Sequence, residues 1–234
     1  MFEKDKFNPN KVRLIFLDVD GVLISNRTML QSGYWATSCK DYEIPDAMYR
    51  SGKGRVILKE PYVNHAESVD PIAVTLLNKL METTDAYIVL SSTWREGLDM
   101  EGVKQVLGAM GINTHRVIGR TSQNEGSRGD QIWNFIQGMK ERRIGEFGDF
   151  FVNSGFLIDE LEGVVMTLDS YVIIDDINAF RPEQQDKFVQ TSEDDGLLLS
   201  DILIAGSILI RRDFTVRMLQ DQEVTDARLI RIKT

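Results

Sequence analysis

The sequence predicts an α/β fold built on a doubly wound, Rossmann-like parallel sheet, and two patterns point to it. Three nearly continuous apolar runs, VRLIFLD at 12–18, AYIVL at 86–90 and YVIID at 171–175, have the character of parallel strands covered on both faces. Amphipathic helical stretches alternate with them, the signature of strand–helix–strand units. A length of 234 residues with 42% apolar side chains suits one decorated domain with a substantial core.

In chain order, the first strand ends in acid at Asp18. Residues 26–60 then hold more than a strand-to-helix loop needs: the glycine pair of SGKG, a proline, and Tyr34, Trp35, Tyr42 and Tyr49. They are read as a small cap insertion. A helix follows, with Asp70 as its cap, Pro71 in its first turn and Ile72, Leu76, Leu77 and Leu80 as its apolar face, and it leads into the strand 86–90. The next helix is expected over 97–110, using Val103, Val106, Leu107 and Met110, with Gly111 as its terminal glycine and a short strand near 115–118. Residues 130–139 form a further helix through Ile132, Trp133, Ile136 and Met139. Residues 143–170, with FFVNSGFLI and VVMTL, are read as an accessory β-hairpin before the strand 171–175. A short strand is expected at 187–190. The stretch 202–210 fits helix or strand, and 212–234 is expected to be peripheral.

Composition removes several function classes. The formal net charge of −9 argues against a general electrostatic coat for nucleic acid. The single cysteine, Cys39, rules out an internal disulfide and a zinc-finger ligand set, and His65 and His115 are too few for a histidine-rich metal centre. The polar start MFEKDKFNPNK does not resemble a secretory signal, and the apolar runs are shorter than a membrane span, so a cytoplasmic protein without a membrane partner is expected.

The chemistry concentrates at strand ends. In LDVDGV, Asp18 and Asp20 stand two apart where the first strand finishes, and Gly21 allows the chain to turn away sharply. Ligands gather at that edge of an open parallel sheet. In IVLSSTWR, Ser91 and Ser92 follow a buried strand, where hydroxyls and backbone N–H groups can hold phosphate oxygens; the alternative is a capping serine and a surface ion pair for Arg95. Trp94 is read as packing. In YVIIDD, Asp175 and Asp176 again terminate a strand. Acids gathered at two strand ends repel one another unless a cation joins them, and an all-oxygen set suits Mg²⁺.

LDVDGV, VLSSTWR and IIDD, in this order, resemble the motifs of the haloacid dehalogenase-like phosphohydrolases. With RGDQIWNF and FVQTSEDDGL, the chain is most similar to the phosphatase domain of multidomain RNA-repair proteins. The resemblance implies an aspartyl-phosphate mechanism with Asp18 as nucleophile and Asp20 as general acid and base. It also implies Mg²⁺ held by Asp18, Asp175, Asp176 and the backbone carbonyl of Asp20, with Ser91 donating to the phosphoryl group. The basic residue of the family pattern is assigned to Arg128, with Arg120 as rival. Gly21, Ser92 and Arg95 are candidate substrate contacts, joined by Arg50, Lys53 and Arg55 of the insertion.

The insertion holds six basic and four acidic residues, so it is locally positive in an acidic chain. Together with its aromatics this suits a phosphate backbone and a stacked terminal base, although the same rings would also pack the insertion. The function expected is a Mg²⁺-dependent phosphomonoesterase acting on a nucleic-acid end, a 3′-phosphate being favoured by the RNA-repair resemblance. The alternatives are a nucleotidase acting on free nucleotides and a noncatalytic nucleic-acid-binding protein on the same fold.

Overall fold

Alternating apolar strands and helices place both faces of one parallel sheet under cover. The computed structural model describes residues 12–31, 68–122, 126–141 and 167–214, with the backbone of 48–50 and 56–58. Strands β1 (Val12–Leu17), β4 (Ala86–Leu90), β5 (Val117–Arg120), β6 (Leu168–Asp175) and β7 (Phe188–Gln190) form a parallel sheet in the order β5-β4-β1-β6-β7. A separate antiparallel pair, β2 (Met48–Arg50) and β3 (Val56–Leu58), lies in the insertion after helix α1 (Asn26–Gln31). Helices α2 (Pro71–Thr84), α3 (Met100–Ala109), α4 (Arg128–Glu141) and α5 (Leu199–Ile210) are joined by short 3₁₀ turns at Thr93–Arg95, Thr114–Arg116 and Pro182–Lys187.

The period of two along each strand sorts its side chains between the faces. Ile15, Leu17, Ile88, Leu90, Val172 and Ile174 pack with α2, α3 and α5, whereas Leu14, Phe16, Tyr87, Val89 and Ile173 pack with Ile132, Ile136 and Met139 of α4. After β1 the sheet grows one way through β4 and β5; α4 then returns the chain to β6 on the other side of β1. The β1–β6 boundary is therefore the switch point, where open α/β sheets form a crevice.

Several element ends differ from the sequence expectation for local reasons. Asp99 accepts from Gly102 N–H at 2.9 Å, so α3 starts at Met100, while Gly97 turns the preceding loop with φ +70°. Asn113 caps a 3₁₀ turn at Thr114–Arg116, which delays β5 to Val117. Ser127 and Asp130 bond each other's backbone N–H and side chain, and this reciprocal cap starts α4 at Arg128.

Strand β6 begins at Leu168, so 168–170 belong to the main sheet; the polar start is satisfied by an Arg13–Asp169 ion pair at 2.9 Å and by Ser170 donating to the Leu209 carbonyl at 2.6 Å. The rest of the expected hairpin, 143–166, lies outside the described residues. The ambiguous stretch 202–210 is helical. Phe214, assigned to the peripheral tail, is fully buried against Gly206, while 215–234 lie outside the described residues. Among the described residues no helix is long and apolar enough to cross a membrane.

Candidate active site

Backbone pairing brings the strand ends into register. Asp18 N–H donates to Ile174 O at 3.0 Å, Ser91 N–H to Leu17 O at 2.8 Å, Thr121 N–H to Leu90 O at 3.0 Å and Thr191 N–H to Asp175 O at 3.0 Å. Each residue just past its strand thus stays tied to the neighbouring strand, and their side chains share one edge.

Three acids and one arginine meet there. Asp18 accepts from Val19 N–H at 2.8 Å through Oδ1, leaving Oδ2 to receive Arg128 Nη1 at 2.6 Å. Asp175 repeats the pattern, with Oδ1 accepting from Ile177 N–H at 2.9 Å and Oδ2 paired with the same Arg128 nitrogen. Carboxylate oxygens of Asp18, Asp175 and Asp176 all lie within 4.8 Å of one another. An all-carboxylate group of this size fits a hard divalent cation such as Mg²⁺.

Burial raises the Asp175 pKa to about 6, with the Asp18 charge adding to it and Arg128 opposing. Asp176 is raised in the same sense, first by partial burial and then by Asp18. At Arg128 burial lowers the pKa, but the pull of Asp18 and Asp175 outweighs it, so the guanidinium titrates above its ordinary value and stays charged. Arg120 ends β5, two strands from β1, and does not join this cluster.

The turn after β1 sets Asp20 and Asp176 in place. Gly21 adopts φ +69°, and a Cβ there would lie 2.5 Å from Asp176 Cγ, so the backbone passes the acid at a distance that no other residue tolerates. Its N–H donates to Ile24 O at 2.7 Å and its carbonyl accepts from Thr191 Oγ1 at 2.8 Å. Gly21 is therefore a shaping residue, with its backbone polar groups engaged inside the turn. Asp20 lies at the solvent side of the cleft and accepts from Trp94 Nε1 at 2.9 Å. The cleft walls still remove enough water to raise its pKa against that bond, and Asp18 and Asp176 add to the rise.

The segment after β4 divides its labour among Ser91, Ser92 and Arg95. Ser91 is buried, and its hydroxyl has no partner among the described residues. Ser92 is also buried, and its Oγ accepts from Trp94 N–H at 3.3 Å, capping the 3₁₀ turn Thr93–Arg95 as the alternative reading of the sequence has it. Arg95 is 5% exposed, which excludes the surface ion pair that the sequence allowed. Its nitrogens donate to the carbonyls of Ser91, Ser92, Thr121 and Ser122 and to Gln131 Oε1, spending the whole guanidinium on joining the loops after β4 and β5 to α4. Burial lowers its pKa, with the Arg128 charge adding.

Of the expected contacts in the insertion, Arg50 ends β2 opposite Val56, whereas Lys53 and Arg55 lie outside the described residues, as do Cys39 and His65. His115 is exposed on its turn, away from the acids' edge of the sheet. Trp94, Thr191 and Thr121 were not among the expected site residues. Thr121, like Ser91, has a buried hydroxyl without a partner among the described residues. The signal for all three was available only as position: each follows a strand by one to four residues.

A family model described as the HAD domain in Swiss Army Knife RNA repair proteins matches residues 14–202, well over half of the chain. No curated protein and no solved structure matches. The matched span runs from β1 into α5 and includes Asp18, Ser91, Arg128 and the Asp175–Asp176 pair. The chain therefore belongs to the family of HAD domains found in Swiss Army Knife RNA repair proteins.

Proposed function

We propose that this chain is a Mg²⁺-dependent phosphomonoesterase that removes the terminal phosphate of a nucleic acid, with a 3′-phosphate as the favoured substrate. The observation that carries the reading is the convergence of Asp18, Asp175 and Asp176 with Arg128 at the switch point of the sheet. Membership of a family of domains from RNA repair proteins supports the nucleic-acid substrate. The locally basic insertion supports it further.

Asp18 attacks phosphorus, the bond to the leaving oxygen breaks, and an aspartyl-phosphate forms. Asp20 gives its proton to that oxygen, so the product leaves as an alcohol. Asp20, now a carboxylate, takes a proton from water as the water attacks phosphorus, which frees inorganic phosphate and restores Asp18. Asp18, Asp175, Asp176 and the carbonyl of Asp20 would hold Mg²⁺, which when bound offsets the crowded negative charge and polarises the phosphoryl group. Ser91 donates its unpartnered hydroxyl to a phosphoryl oxygen. Arg128 holds Asp18 in place and balances the charge of the incoming phosphate.

A substrate panel with Mg²⁺ tests the reading: 3′-phosphorylated RNA and DNA, their 5′-phosphorylated counterparts, nucleoside monophosphates and sugar phosphates. The highest kcat/KM is expected for a 3′-phosphorylated oligonucleotide. Equal or faster turnover of free nucleotides would make the protein a nucleotidase, and oligonucleotide binding without hydrolysis would make it a noncatalytic binding protein.

A further inference from the structure

We propose that Trp94 is a positioning residue that fixes which oxygen of Asp20 carries the transferred proton, an inference that rests on the phosphomonoesterase reading above. Its indole Nε1–H donates to Asp20 Oδ2 at 2.9 Å, across the mouth of the cleft from the turn that carries Asp20. The ring itself cannot follow a moving partner. It is buried in the main core, its backbone N–H is capped by Ser92, and the adjoining Arg95 is tied to the loops after β4 and β5 and to α4.

An indole N–H donates and never accepts. Asp20 Oδ2 must therefore be an acceptor in both protonation states of the acid, and the proton resides on Oδ1. Without this bond the carboxyl group, at the solvent side of the cleft and free to rotate about a broad two-fold torsion, presents either oxygen. With it, Oδ2 is committed to the indole and Oδ1 is the oxygen left for proton transfer. In the first step the Oδ1 proton passes to the leaving oxygen as the P–O bond breaks; in the second, Oδ1 receives a proton from the attacking water. Trp94 neither gains nor loses a proton in either step. A large core residue at this position needs no N–H, and Phe fills most of the same volume, so the donor is the feature that packing does not explain.

Trp94→Phe keeps an aromatic ring and removes the donor. The test compares single-turnover alcohol release from a 3′-phosphorylated oligonucleotide, whose leaving group needs a proton, with release from p-nitrophenyl phosphate, whose phenolate does not. The oligonucleotide rate is expected to fall roughly tenfold or more with KM changed less than about twofold, while the nitrophenyl rate changes less than about twofold. In an Asp20→Asn background the Trp94→Phe substitution is expected to add no further loss.

An equal fall on both substrates, no fall on either, or a full-sized fall in the Asp20→Asn background makes Trp94 a packing residue and overturns the proposal. Should Trp94→Phe fail to fold, benzothienylalanine at position 94, which replaces the N–H by sulfur in the same bicyclic shape, carries the identical comparison. Wild-type protein that hydrolyses neither substrate overturns the functional reading and this inference together; wild-type turnover without the leaving-group contrast in the variant overturns the inference alone.

Discussion

Gly21 and Asp176 approach so closely that a Cβ on the glycine would sit 2.5 Å from the Asp176 carboxyl carbon. The turn that presents Asp20 and the strand end that presents Asp176 are therefore fitted to each other. Gly21→Ala combines this collision with a backbone at φ +69°, which costs an L-residue about 1–2 kcal/mol. Because the displaced atoms belong to an acid of the cluster, Mg²⁺ affinity measured by calorimetry is expected to weaken about tenfold or more. Unchanged affinity would remove Asp176 from the cation site.

Arg95 is a scaffold residue, and its loss should be read in stability. Arg95→Met leaves four loop carbonyls and Gln131 Oε1 without their donor, and urea unfolding is expected to show a loss of about 2–4 kcal/mol. Arg95→Lys should recover little of it, since an ammonium cannot reproduce the planar fork. KM of the folded variant should stay near wild type; a large rise in KM at unchanged stability would return Arg95 to the substrate-binding role that its sequence position suggests.

Ser91 gives the opposite pairing of effects. Its hydroxyl has no partner to lose, so Ser91→Ala should alter unfolding free energy by less than about 1 kcal/mol. Removing a donor aimed at the transferred phosphoryl group should lower kcat about 10²-fold. Activity within a few-fold of wild type would show that Ser91 does not reach the substrate.

The acid cluster also sets a pH dependence. Asp175 titrates at about 6 in the folded chain, above the ordinary 3.8, so between those values the folded state binds more protons than the unfolded one. Stability from this group is fully present below about pH 4 and is lost as pH rises through about 6. Chelator-treated wild type should lose about 1–2 kcal/mol more than Asp175→Asn between pH 5 and 7.5, measured by urea unfolding. Added Mg²⁺ should restore wild-type stability at pH 7.5. Parallel pH profiles for the two proteins would contradict the raised pKa.

What could be read from the sequence follows from how local each cause is. The runs at 12–18, 86–90 and 171–175 announce buried strands because both neighbours in the sheet and both faces demand apolar side chains, and the strand-end acids are legible because they interrupt those runs. Arg128 was identified through the family pattern, and the structure places it between Asp18 and Asp175. Arg95 and Trp94 illustrate what remains hidden. Their types fit a surface ion pair and a packing ring, and only the fold brings four carbonyls around one and the Asp20 carboxylate to the other. Residues 168–170 read as part of a hairpin because their partners, Arg13 and the end of α5, lie far away in sequence.

Trapping a phosphoryl group on the Asp18 carboxylate tests the proposed nucleophile most directly. Purified protein is mixed with Mg²⁺ and an oligonucleotide bearing a radiolabelled 3′-phosphate, quenched in acid and digested for peptide mapping. A transient, hydroxylamine-labile label is expected on the Asp18 peptide, with neither label nor turnover in Asp18→Asn. Mg²⁺-dependent phosphate release retained by Asp18→Asn would contradict it.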